Sequence, residues 1–221
     1  MRDVTRASAA LSWPNRITLM RLLLVAPFVV LVQQHHARPV FRHLALGIFL
    51  VMAVSDVLDG YLARRTGHTS RLGAILDPLA DKTLIMCAAA LLSLPHSAVA
   101  GTRLPHWVVV LIVGKDLWVI VGFVVVFLLT GRVRVMPTRA GKLCTAGQLA
   151  MVTAVLISPD INRLALSAGT ALGAGTALAR GLWWATGALS IAAVVSYTRL
   201  GLGFVAEADR GGGNGPDATL P

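Results

Sequence analysis

Six stretches of mostly apolar residues constrain this chain more than anything else in it; they lie near 17–33, 43–64, 73–93, 106–129, 143–158 and 181–204. Hydrocarbon offers no partner to backbone N–H and C=O groups, so an apolar segment crossing a bilayer bonds its own backbone as a helix, and about 20 residues cross the apolar layer. With 56% of its residues hydrophobic and only 14% charged, the chain is too apolar for an ordinary soluble domain. The expected fold is therefore all-α, an integral membrane bundle of six transmembrane helices spanning 17–204. Residues 1–16 form an N-terminal cytoplasmic or interfacial segment, and the Gly- and Pro-rich tail at 205–221 is expected to be disordered.

The basic residues orient the bundle. Six spans put Arg2, Arg6, Arg16, Arg64, Arg65, Arg71, Arg132, Arg134, Arg139, Lys142 and Arg210 on one side, and Arg38, Arg42, Arg103, Arg163 and Arg180 on the other. Eleven against five makes the first side cytoplasmic, with both termini there. Trp13 and Pro14 suit an entry at headgroup depth, and the run that follows them is span-length without a clean cleavage site, so it is expected to stay as the first helix. The segment 161–180 is mildly apolar and carries Gly169, Gly173 and Gly175; an outer loop with a short helix is expected there rather than a seventh span.

A formal net charge of +10 raises the question of nucleic acid, but the cations lie between apolar runs and form no stripe with interleaved aromatics. Anionic headgroups and phosphate-bearing substrates fit that distribution better. Cys87 and Cys144 sit in separate apolar segments and read as small packing residues, and His35, His36, His43, His96 and His106 lie in or beside the outer loops. No repeat of 20 to 50 residues stands out, which counts against the duplicated architecture of many secondary transporters.

The chemistry concentrates in SDVLDGYLARRTGHTSRLGAILDPLADK, residues 55–82, which holds four of the ten acidic residues. Each carboxylate carried into hydrocarbon costs roughly 2.5 to 3.5 kcal/mol on insertion scales, so four call for a compensating cation. On helices Asp56 shares a face with Asp59, and Asp77 with Asp81 one turn on. Gly60, Ala63 and Gly73 beside them leave room for a neighbouring backbone or a phosphate. Four hard oxygen ligands on two facing helices suit Mg²⁺ or Mn²⁺, whose usual work with carboxylates is to hold phosphates.

These residues read D-x2-D-G-x2-A-R-x8-G-x3-D-x3-D at Asp56, Asp59, Gly60, Ala63, Arg64, Gly73, Asp77 and Asp81. The pattern, without departure in type or spacing, resembles the signature of the CDP-alcohol phosphotransferases, membrane enzymes of phospholipid synthesis. The resemblance implies that Asp56, Asp59, Asp77 and Asp81 ligate divalent metal, with two ions expected, and that Asp81 is the catalytic base that takes the proton of the incoming alcohol. It further implies a CDP-binding set of Asp56, Asp59, Gly60, Ala63, Arg64 and Gly73, in which the small residues admit the cytidine and Arg64 meets the diphosphate. Lys82 points about 100° away from Asp81 on a helix and reads as a counter-charge for the cluster.

Two further stretches resemble the phosphatidylglycerophosphate synthase and cardiolipin synthase branches. They are P-N-x-x-T-x-x-R at Pro14, Asn15, Thr18 and Arg21, and G-K-x-x-T-x-x-Q at Gly141, Lys142, Thr145 and Gln148. Candidate acceptor-binding residues are Asn15, Thr18, Arg71, Arg139 and Lys142. A helix start explains Asn15 and Thr18 as well, and loop charge explains Arg139 and Lys142 almost as well. Lys115 and Asp116 stand where the first branch usually shows an Arg-Glu pair, and look more like the second; the alternative for them is a local counter-charged pair. The implied activity is transfer of a phosphatidyl group from CDP-diacylglycerol to glycerol 3-phosphate or phosphatidylglycerol with release of CMP. Inositol phosphate or serine as acceptor, and a proton or ion transporter using the same aspartates, are the alternatives. The resemblance also implies a homodimer in the lipid bilayer, in the bacterial inner membrane with the site facing the cytoplasm.

Overall fold

The computed structural model describes residues 13–66, 71–130, 138–169 and 173–212, with side chains described over 19–55, 82–129, 138–169 and 173–206. Six helices follow one another: α1 Trp13–Gln34, α2 Pro39–Thr66, α3 Arg71–Ser93, α4 His106–Thr130, α5 Arg139–Ser167 and α6 Ala174–Gly212, with no strand among the described residues. Among the described residues, three stretches are long and apolar enough to cross a membrane by length and composition: His106–Leu129, Arg139–Ser167 and Ala174–Ala206. Shorter apolar stretches run over Leu19–Gln34, Pro39–Ser55 and Lys82–Ser93.

Packing divides the bundle in two. α1 lies along both α2 and α3, while α6 lies along α5 and α4; narrower contacts from α2 to α5 and from α3 to α4 and α5 join the halves. Phe28, Phe49, Met52, Leu84, Ala88, Leu92, Val108, Ile112, Met151 and Val152 fill the shared core, with the rings of Phe28 and Phe49 centred 5.9 Å apart. Outside, large apolar side chains face away from the protein, most densely along α4 from Leu117 to Leu129. An apolar surface of that extent is not that of a soluble monomer.

Close approach of α5 and α6 depends on missing side chains. A Cβ on Gly141 would come 2.5 Å from the Tyr197 hydroxyl, and one on Gly175 would run into the Ser158 carbonyl. Thr138 caps α5 by accepting the Gly141 N–H at 3.0 Å. Between the same helices run Cys144, Gln148, Thr186 and Ser190, all buried. Thr186 Oγ1 donates to the Gly147 carbonyl at 3.3 Å, and Ser190 Oγ lies 3.4 Å from Cys144 Sγ. Small residues and buried hydroxyls are how helices adhere where lipid competes for every apolar face.

Two expectations about boundaries differ from the structure. The segment 161–180 is neither an outer loop with its own short helix nor another span: α5 continues through it to Ser167 and α6 starts at Ala174. Asn162 makes this possible, because its Oδ1 accepts the N–H of Gly175 at 2.8 Å and its Nδ2 donates to Thr176 Oγ1 at 3.0 Å, tying the start of α6 to the end of α5. At the other end, α6 runs on to Gly212, into the stretch expected to lack structure. Residues 1–12 and 213–221 lie outside the described residues.

Candidate active site

The motif occupies the end of α2 and the beginning of α3. At 1.5 Å per residue, Asp56 and Asp59 lie about 10 to 15 Å from the end of α2, and Asp77 and Asp81 about 9 to 15 Å from the start of α3. The two pairs therefore share one depth from one end of the bundle, and α1 packs against both helices that carry them. The side chains of Asp56, Asp59, Gly60, Ala63, Arg64, Arg71, Gly73, Asp77 and Asp81 lie outside the described residues, as do those of Asn15 and Thr18 on α1. The donor chemistry suits a divalent cation: four carboxylates, all hard oxygen donors, on two successive helices that both pack on α1.

Near the motif the described residues include further charges within the helices. Arg21 of α1 is 2% exposed, the most buried charged side chain among the described residues. It lies about 12 Å along α1, the depth of the aspartates, on the helix that packs against α2 and α3. A guanidinium buried in that layer needs an anionic or strongly accepting environment.

The second addition is a cluster between α3 and α4. Lys82 Nζ donates to Asp116 Oδ1, and Lys115 Nζ meets the same oxygen at 3.1 Å. Lys115 and Asp116 are each 7% exposed. Lys82 therefore reaches a partner on α4 that the sequence reading did not assign to it, and Lys115 with Asp116 is more than a local pair. The missed signal was simple: an isolated aspartate and lysine in the middle of an apolar run require partners on another helix.

The G-K-x-x-T-x-x-Q stretch lies in the first three turns of α5. Gly141 serves the α5–α6 contact, Thr145 is exposed and donates to the Gly141 carbonyl at 3.2 Å, and Gln148 is buried with its amide 3.7 Å from Cys144 Sγ. Arg139 and Lys142 are exposed in the first turn of α5. Because the start of α2 meets the end of α5 through Arg42 and Asp160, the first turn of α5 belongs to the end of the bundle where the motif lies. No group of three metal-capable side chains occurs among the described residues.

Comparison with known proteins agrees with the motif. The profile of the CDP-alcohol phosphatidyltransferase family matches residues 11–195. The chain belongs to that family. Among similar curated proteins, "CDP-diacylglycerol--glycerol-3-phosphate 3-phosphatidyltransferase" of Bacillus subtilis is 34% identical over 155 residues, 65% of this chain and 76% of its relative. The protein of the same name from Cereibacter sphaeroides is 42% identical over 82 residues, 37% of each chain. A "Probable phosphatidylglycerophosphate synthase" of Mycobacterium tuberculosis is 39% identical over 110 residues, 48% of this chain and 49% of its relative. The match thus spans about a third to a half of two of these relatives and three quarters of the third.

Proposed function

We propose that this chain transfers the phosphatidyl group of CDP-diacylglycerol to glycerol 3-phosphate, giving phosphatidylglycerophosphate and CMP. One observation carries the reading: the unbroken family motif falls on two helical segments at one depth, both packed on α1. The choice of acceptor follows the names of these three relatives, which specify transfer to glycerol 3-phosphate or synthesis of phosphatidylglycerophosphate. All six helices cross the bilayer in this reading, since α2 and α3 are about 42 and 35 Å long, enough for a layer of about 30 Å. In this reading the protein lies in the inner membrane, which the bacterial relatives support, with the motif towards the cytoplasm, which the bias of basic residues supports, and it assembles as a homodimer.

Asp56, Asp59, Asp77 and Asp81 hold Mg²⁺ or Mn²⁺ in this reading, with two ions expected. When bound, the cations neutralise the pyrophosphate of the nucleotide lipid and ease the departure of CMP. The chain's own groups do the rest. Asp81 accepts the proton of the acceptor hydroxyl, Arg64 steadies the diphosphate, and Gly60, Ala63 and Gly73 leave space for the nucleotide. Asn15, Thr18, Arg71, Arg139 and Lys142 are the candidates for gripping the acceptor. Arg21 supplies a fixed positive charge at the depth where phosphate and carboxylate charge accumulate.

The deciding experiment gives purified protein CDP-diacylglycerol and one acceptor at a time, with products separated by lipid chromatography. Phosphatidylglycerophosphate from glycerol 3-phosphate is the expected product. Cardiolipin from phosphatidylglycerol would move the chain to the other branch, as the Lys115–Asp116 pair suggests. A product only from inositol phosphate or serine would reject both acceptors, and ion movement across sealed vesicles without turnover would reject the enzyme.

A further inference from the structure

We propose that Asp116 is a positioning residue of the transferase site: by binding Lys82 it sets the rotation of α3 at the turn that carries Asp77 and Asp81. The proposal rests on the reading of those two aspartates as site residues. Lys82 directly follows Asp81, so a bond that fixes Lys82 to α4 fixes the direction in which the preceding residue leaves the helix, at about 100° per residue.

Three observations favour this over simple adhesion. First, the cluster is deep. Lys82 lies about 17 Å along α3 and Asp116 about 15 Å along α4, near the middle of a layer of about 30 Å. Charges there cost a few kcal/mol each, and well-packed apolar groups of the same size would join two helices at least as well. Secondly, packing alone does not locate Lys82. Its side chain is 38% exposed against 10% for Asp116 and 7% for Lys115, so the least enclosed member of the cluster is the one beside the motif. Lys115 and the surrounding core fix the carboxylate, and the carboxylate fixes Lys82. Thirdly, α3 and α4 touch over a short length, whereas α4 lies chiefly along α6. The carboxylate therefore ties the motif helix to the half of the bundle built on α6.

The test is a set of variants purified in the same detergent as the wild-type protein. Asp116→Asn and Lys82→Gln are each expected to lower kcat about 30-fold while changing KM for either substrate less than about threefold, because the bond acts on the reacting geometry rather than on uniform binding. The double variant should be no worse than about the weaker single one, since either change breaks the same bond, and Asp116→Glu should recover activity to within about threefold of wild type. Each single variant should also bind Mn²⁺ about tenfold more weakly by paramagnetic resonance without substrate. Lys82→Gln leaves Asp116 with Lys115 as partner, so it is the safer of the two to fold.

Full turnover or unweakened Mn²⁺ binding in a folded single variant would overturn the proposal, as would additive losses in the double. If both singles fail to fold, the cluster is adhesive only and the proposal is equally wrong. A wild-type protein inactive with every acceptor would instead sink the assignment of function.

Discussion

The two ends of this bundle handle charge in opposite ways. At the end where α2 and α4 begin, charges find partners near the connections: Arg42, in the first turn of α2, donates to Asp160, two turns from the end of α5, at 2.7 Å, His43 Nε2 lies 3.1 Å from the same carboxylate, and Arg103 donates to the Ser93 carbonyl at 2.9 Å. Those groups border polar connections, where headgroups and water share the cost of charge. Towards the other end, Arg21, Lys82, Lys115, Asp116 and the four motif aspartates lie several residues inside their helices. Charge beside a polar connection can be a fastener and nothing more; charge in the middle of an apolar helix costs more, and the proposed reaction gives it a use.

The contrast is open to attack from both ends. The largest effect is expected at the motif, where Asp77→Asn should cut turnover by about a thousandfold or more, with little change in the apparent melting temperature in detergent. A residual activity above a tenth of wild type would erase the distinction. At the opposite end, Asp160→Asn removes the acid that Arg42 and His43 share, and should lower stability by about 2 kcal/mol, a drop of about 4 to 8 °C. Turnover per folded molecule should stay within about twofold of wild type, because the pair acts only on folding equilibrium. A variant of normal stability but poor turnover would show that this end also serves the reaction.

The smallest effect is a pH dependence. Burial holds the His35 imidazole below its ordinary pKa of 6.5, against an opposing hydrogen bond to the Val32 carbonyl at 2.7 Å, with the neighbouring His36 and Arg42 pushing the same way as burial. The unfolded chain then binds the proton more readily than the folded one. Stability from this group is full above about pH 6.5 and is lost as the pH falls through the folded value. Lowering the pH from 7.5 to 5.5 should reduce the melting temperature of wild type by about 2 to 4 °C more than that of His35→Gln. Equal shifts in the two proteins would remove His35 from the account.

How far the sequence reveals this arrangement depends on the range of each interaction. The helices of the bundle are legible because hydrophobic length is a local property, and the motif is legible because its spacing is fixed within one stretch. The α5–α6 turn was misread because the group that closes it, Asn162, bonds Gly175 and Thr176 across a stretch that looks like a glycine-rich loop. The partner of Lys82 was missed for a similar reason. Asp116 lies 34 residues away on another helix, and only the packing of α4 brings its carboxylate to that ammonium. Arg21 read as one letter of a family opening, and its burial became visible only once α1 was placed against α2 and α3.

The central claim is that carboxylates from α2 and α3 act together on a phosphate through divalent cations. Its most direct test is CMP release from CDP-diacylglycerol and glycerol 3-phosphate by protein stripped with chelator, then titrated with Mg²⁺ or Mn²⁺. The account predicts no release from the stripped protein and recovery on adding either cation. Undiminished release after exhaustive chelation would contradict it.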